Sequence, residues 1–309
     1  MRLAAVLATV AGLAASPVQA GETPPYVSRT VKMIGDTIDP VATGKLYAPF
    51  QKSEPYAGVT VTRDQKYADG DRNRLDIFQP ATTGARRPVL IFVHGGAFIG
   101  GDKHVPYSPF YDNIMLWAVA NGMIGLNMSY RLAPKSPWPA GVEDVASAVA
   151  WAKANVADRG GDPDRIFLMG HSAGATHAAT YVAQPEFHKV PGGGIAGAIL
   201  LSGLYELDAE VNFPAERAYY GDDLSKWHER SPLAGLVTAK TPLLVMHGDL
   251  DPTVFIAQSD RLNKALCEGG TCPTYVVLRG HSHMSEVYAI NSPDTAVTEP
   301  IGAFVGRVR

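Results

Sequence analysis

Eight short apolar runs, spaced along the chain and half of them ending in Gly, constrain this sequence more than any other feature. They are GVTVTRDQKY (58–67), NRLDIFQP (73–80), PVLIFVHG (88–95), MIGLNMSY (123–130), DRIFLMGH (164–171), IAGAILLSG (195–203), TPLLVMHG (241–248) and TYVVLRG (274–280). The first two alternate apolar and polar residues, as an antiparallel edge hairpin does, with Asp69-Gly70 near its turn. The later runs are almost wholly apolar, as strands buried on both faces are. Segments with helical periodicity lie between them, near 108–121, 140–156, 173–184 and 253–266. This alternation predicts an α/β fold: a mostly parallel eight-stranded sheet with helices on both faces. The chain has 309 residues, enough for one large α/β domain, and we assign 58–309 to it.

Two stretches break the rhythm. Residues 21–57 are rich in Pro and Gly and read as an N-terminal extension that wraps the surface and caps part of a cleft. Residues 204–240 form a long connection between two buried runs, and such an insertion often acts as a lid. Its aromatics, Tyr205, Phe213, Tyr219, Tyr220 and Trp227, read first as packing residues. Ahead of both, residues 1–20 carry one basic residue, an apolar run from Leu3 to Ala15, and Val18-Gln19-Ala20 before Gly21. This is the pattern of a cleaved secretory signal peptide, so the expected location is periplasmic or extracellular. The rival reading, a membrane anchor, needs about 18 apolar residues, more than this run offers.

The formal net charge of -3 points to neither nucleic acid nor an anionic membrane surface as partner. The two cysteines, Cys267 and Cys272, would pair across a Gly-Gly turn in an oxidising compartment and stay as thiols in the cytosol; export favours the disulfide. The nine histidines are scattered and no H-E-x-x-H occurs, so neither a metal nor a cofactor is expected. The sequence leaves the oligomeric state open.

The chemistry centres on FLMGHSAGAT (167–176). Gly170-His171-Ser172-Ala173-Gly174 follows a strand-like run and opens a helix-like one, the setting in which a serine sits on a sharp turn as a nucleophile. A serine hydroxyl needs a general base, a group that orients the base, and donors for the oxyanion. His94-Gly95-Gly96-Ala97 ends another buried run, where glycines leave backbone N–H groups open to approach, and the Ala173 N–H would complete the oxyanion hole. Downstream, VMHGDLDPTV offers Asp249 and Asp251, and LRGHSHMSEV offers His281 and His283. The order Ser, Asp, His is that of the α/β-hydrolases.

From about residue 58 onward the chain resembles the α/β-hydrolase superfamily, and within it HGGG-type esterases related to hormone-sensitive lipase, bacterial carboxylesterases and arylformamidases. The segments that carry the likeness are HGGAFIGG, NMSYRLAPKSPWPAGVEDVASAVAWAKAN, GGDPDRIFLMGHSAGAT, HGDLDPTV and GHSHM. The resemblance implies that Ser172 is the nucleophile, Asp251 the acid and His283 the base, with Gly95, Gly96 and Ala173 forming the oxyanion hole. Asp249 is then a turn residue, and His281 a loop histidine. Two positions depart from the family pattern: Ala97 stands at the third glycine of HGGG, and Met284 at the aromatic that usually follows the histidine. His94 is expected to hold its own loop, His171 to point away from the site, Arg131 to have a structural partner, and Glu143 and Asp144 to face a helix N-terminus.

The function implied is a secreted serine esterase acting on short-chain or aromatic esters, small or borne on polysaccharide. An arylformamidase-like amide hydrolase and a non-catalytic binding protein of the same fold are the alternatives.

Overall fold

The computed structural model describes residues 24–308 apart from 83, 85, 209, 210 and 212. The leader expected over residues 1–20 lies outside them. Eight strands, β1 (Val59–Lys66), β2 (Arg74–Pro80), β3 (Arg87–Val93), β4 (Ile124–Met128), β5 (Gly161–His171), β6 (Gly197–Leu201), β7 (Leu243–Gly248) and β8 (Thr274–Leu278), form one sheet in the order β1-β2-β4-β3-β5-β6-β7-β8. The β1–β2 and β2–β4 pairs are antiparallel, and the remaining neighbours run parallel. Every apolar run named above overlaps one of these strands, with β3 and β5 starting one and three residues ahead of their runs.

The parallel strands are apolar throughout because successive residues serve two different cores. Val89, Ile91 and Val93 of β3, Ile166 and Leu168 of β5, and Val245 of β7 face one side. Leu90 and Phe92, Phe167 and Met169, and Leu244 and Met246 face the other. Each such side chain contributes roughly 1.5–3 kcal/mol on burial, so both faces must be covered.

The chain supplies α1 (Pro25–Ile34), α2 (Pro40–Tyr47), α3 (Asp112–Ala120), α4 (Ala140–Asn155), α5 (Ala173–Ala183), α6 (Pro214–Tyr220), α7 (Trp227–Arg230), α8 (Leu233–Thr238), α9 (Thr253–Glu268), α10 (Ser285–Tyr288) and α11 (Thr298–Arg307). Helices α4, α5, α8 and α9 pack on the first face, and α1, α2, α3, α10 and α11 on the second. All residues of α5 are buried, which explains why its sequence is small and apolar all round. Helix α3 begins at Asp112, past Pro109, later than its periodicity suggests. Among the described residues no helix is long and apolar enough to cross a membrane.

The N-terminal extension is fastened to the domain by named contacts. Val27, Val31 and Tyr47 are buried in the second core. The Gln51 amide donates to the carbonyls of Tyr288 and Ile290 at 3.1 and 3.0 Å, and the Tyr56 hydroxyl to Asp112 at 2.8 Å. A third apolar cluster joins Phe98, Leu204, Leu207, Tyr219, Tyr220 and Trp227, so the 204–240 connection packs on the loop after β3. Four of its five aromatics are buried; Phe213 is half exposed.

The loops after β3, β5, β6, β7 and β8 all leave the same, carboxyl edge of the sheet. Open α/β sheets hold their sites there, outside the ends of the strands.

Candidate active site

Ser172 is the single residue between β5 and α5, with φ 55° and ψ -126°. A non-glycine residue in such a conformation costs on the order of 1–3 kcal/mol and persists where its surroundings dictate it. Here they do. A Cβ on Gly170 would lie 2.3 Å from the Gly174 carbonyl oxygen, and one on Gly174 would lie 2.1 Å from that of Val93. The two glycines are therefore the sole residues that let strand, turn and helix approach so closely. The Ser172 N–H donates to the Leu201 carbonyl at 2.9 Å, tying the turn to β6.

The loop after β3 faces this turn. A Cβ on Gly95 would stand 3.1 Å from Ser172 Cβ, and one on Gly96, at φ 129°, would stand 2.1 Å from the Gly100 carbonyl oxygen. Ala97 and Phe98 follow at φ 49° and 64°. An alanine at the third glycine position is thus accommodated in a left-handed conformation, and Phe98 anchors the loop by stacking on Tyr219 at 4.9 Å. His94 Nδ1 lies 2.6 Å from the Gly95 carbonyl oxygen, and its ring stacks on Tyr130 at 4.4 Å. Burial pushes the His94 imidazole down to about 4, so it holds the loop as a neutral donor. The Ala173 N–H opens α5, where helix amides have no partner within the helix.

On the opposite side, His283 Nδ1 lies 2.7 Å from Asp251 Oδ1, both side chains being buried. Burial pushes the Asp251 carboxyl up, but the hydrogen bond and charge of His283, with the donors around it, outweigh this and hold it below the usual carboxylate range. Ser172 and His283 line one pocket, although Ser172 Oγ makes no direct hydrogen bond to His283 in this conformation. Such contacts often tighten when substrate binds. Asp249 instead accepts the Gly280 N–H at 2.6 Å, and His281 pairs with Ser285 Oγ and Asp294 Oδ2 at 3.2 and 3.4 Å.

His171 does not point away from the site. Its ring centroid is 4.6 Å from that of His283, and its Nε2–H donates to the His283 carbonyl at 2.8 Å. Burial, reinforced by His283, pushes it down to about 3, so it positions the base without adding charge beside it. The imidazole of His283 also stacks on Phe255 of α9 at 4.4 Å. An aromatic contact therefore exists despite Met284, but it comes from another helix. Asp144 departs from its expected role at a helix start: it is the buried partner of Arg131, at 2.8 Å.

Two residues were not singled out by sequence reasoning. Ser202, at the end of β6, donates its hydroxyl hydrogen to Asp251 Oδ2 and lies 2.8 Å from Glu286 Oε1; Glu286 is fully buried. A carboxylate inside the apolar turn SEVY, just beyond His283, was the available signal. Asp251, His283 and Glu286 bring polar atoms within 4.8 Å of one another, as ion ligands can, but these atoms are engaged with each other and with Ser202.

Two cavities flank Ser172. One, of about 460 Å³, is walled by Phe98, Leu204, Phe213, Val254 and Phe255; the other, of about 320 Å³, by Tyr111, Met284 and Tyr288. Ile38, from the N-terminal extension, lines both. Away from the site, Cys267 and Cys272 are joined at the end of α9.

Residues 75–190, which hold the glycine loop and Ser172, match the family model described as BD-FAE. Esterase LipQ of Mycobacterium tuberculosis is 32% identical over 266 residues, covering 79% of this chain and 62% of its own length. The isoprenylcysteine alpha-carbonyl methylesterase ICME of Arabidopsis thaliana is 27% identical over 245 residues, covering 72% and 56%. The chain thus spans between half and two thirds of these curated relatives. Esterase B of Lactobacillus rhamnosis shares the fold with a TM-score of 0.72 over 91% of this chain and 96% of that one, at 19% identity. The chain thus shares the fold of Esterase B, and over residues 75–190 it is similar to the BD-FAE family.

Proposed function

We propose that this protein is an exported serine esterase that cleaves carboxylic esters of small or aromatic groups through an acyl-enzyme on Ser172. The observation that carries the reading is the meeting, in one pocket, of a serine in a sterically enforced left-handed turn with a histidine whose far nitrogen is bound to a buried carboxylate. His283 Nε2 takes the Ser172 proton as Oγ attacks the ester carbonyl, while Nδ1–H stays on Asp251. The Gly95, Gly96 and Ala173 N–H groups receive the oxyanion. The protonated histidine returns its proton to the leaving alcohol, and a water activated the same way releases the acid.

The apolar walls on both sides of Ser172 favour substrates with uncharged groups on the acyl and the alcohol side. The names of the curated relatives, esterases and methylesterases, support an ester over an amide. The leader pattern and the cysteine pair support export, where small esters and acyl groups on polysaccharides would be met.

Hydrolysis of p-nitrophenyl acetate, butyrate and octanoate by the mature chain, beside Ser172→Ala and with a fluorophosphonate label, tests the reading. Turnover and labelling in the wild type, both lost in the variant, are expected. Far faster cleavage of N-formylanilides than of these esters would make the protein an amide hydrolase. A folded wild type that neither labels nor turns over would make it a binding protein.

A further inference from the structure

The Ser202 hydroxyl has three carboxyl oxygens within hydrogen-bonding reach: Asp251 Oδ2, Glu286 Oε1 at 2.8 Å and Glu286 Oε2 at 2.9 Å. A hydroxyl has one hydrogen to give. Ser202, Asp251 and Glu286 are all buried, so no solvent screens the two carboxyl groups from each other. If both were ionised, one hydrogen would have to serve two anions in a site of low dielectric, and the remaining contacts would be repulsive. One carboxyl must therefore bring its own hydrogen. Asp251 faces the Nδ1–H of His283 as well as Ser202, and both donors favour its charged form. Glu286 faces the Gly248 N–H, at 3.2 Å, and no cation.

We infer that Glu286 is a positioning residue that works as a neutral carboxylic acid, donating to Ser202 Oγ and so committing the single Ser202 hydrogen to Asp251. The rotamer of Asp251 is fixed from behind, and with it the ring of His283. Burial, and then the negative charge of Asp251, push the Glu286 carboxyl well above its ordinary range, in keeping with this count of hydrogens. The titratable neighbours facing Glu286 are Asp251 and Tyr205, with His283 beyond Asp251. Burial raises Tyr205, which keeps it neutral. The inference rests on the proposed Ser172, His283 and Asp251 roles.

The test compares wild type with Glu286→Gln, Glu286→Leu, Ser202→Ala and the Ser202→Ala/Glu286→Leu double variant, using p-nitrophenyl butyrate across pH, fluorophosphonate labelling and difference infrared spectroscopy. Glu286→Leu and Ser202→Ala should each lower kcat about tenfold with KM moved less than about twofold, and the double variant should be no worse than Ser202→Ala. Glutamine keeps a donor for Ser202 and an acceptor for Gly248, so Glu286→Gln should recover most of the loss in kcat. It should also leave the acid limb of kcat/KM in place, while the protonated-carboxyl band of the wild type disappears. An acid limb displaced to lower pH in Glu286→Gln, or no such band in the wild type, would show an ionised Glu286 and overturn the inference. These two readouts decide the matter even where the leucine variant fails to fold. A wild type that neither labels nor turns over overturns the triad as well. A fully active Glu286→Leu overturns this inference alone.

Discussion

The two sides of the pocket are built on different principles. On the side of β3 and β5 the work is done by backbone: Gly96, Ala97 and Phe98 take positive φ in succession, Ser172 does the same, and glycines fill places where a Cβ would meet a carbonyl oxygen at about 2 Å. On the side of β6, β7 and β8, Ser202 also takes a positive φ of 50° and a Cβ on Gly248 would lie 2.2 Å from the His281 carbonyl oxygen, but the functional groups are set by side chains, with Ser202, Asp251, His283 and Glu286 buried and bonded to one another. The first side is held in place by lack of room. The second is correct in one arrangement of protons. Added volume should therefore break the first, and altered charge or pH the second.

The largest expected effect is on the side-chain half. Asp251→Asn preserves shape but offers His283 the wrong hydrogen-bond partner, and should lower kcat about 10⁴-fold while the melting temperature changes little. The sharpest contrast is Gly174→Ala, which adds no charge. With its Cβ 2.1 Å from the Val93 carbonyl oxygen, it should destabilise the fold by more than about 3 kcal/mol in urea titrations. A stable Gly174→Ala would erase the distinction between the two halves. Gly96→Ala would meet the Gly100 carbonyl oxygen just as closely, at 2.1 Å, and adds the strain of a φ of 129°, so it should destabilise the fold comparably and also lower kcat by about 10²-fold by moving an oxyanion donor.

A smaller effect is the pH dependence of stability. Glu286 has a raised pKa in the folded protein, so at pH above the ordinary glutamate range the native state holds a proton that the unfolded chain has lost. That contribution is complete below the unfolded pKa of about 4.3 and is lost as pH rises through the folded value. The melting temperature of Glu286→Gln relative to wild type should therefore climb over the window above the unfolded pKa of about 4.3. A difference that stays flat over that window would mean that Glu286 ionises normally.

The strands could be located from the sequence because parallel strands buried on both faces leave an unbroken apolar run, and the elbow because its steric demand is confined to five consecutive residues. Asp251 and His283 stood out from Asp249 and His281 through their place in the family pattern, and the geometry pairs the former two. Ser202 and Glu286 were not legible. They lie 84 positions apart, and their meeting depends on the order β6-β7-β8, with α10 after β8 laid across the end of β7, which no local pattern encodes. The orientation of His171 differs from its expectation for a related reason: its partner is a carbonyl contributed by the loop after β8. Phe255 likewise reaches His283 from a separate helix, so Met284 signalled the missing aromatic but not its replacement.

Ile38 belongs to neither half, yet its side chain forms part of the wall of both chambers beside Ser172. Selection acting at this one codon would change two preferences together. A lineage that enlarged one chamber there would relax the other as well, and would pass through generalists before any new specialist. Independent tuning has to use positions belonging to a single chamber, such as Phe213 and Val254 on one side or Met284 on the other. The N-terminal extension thus couples the two chambers beside Ser172, although among its described residues there is no sheet strand.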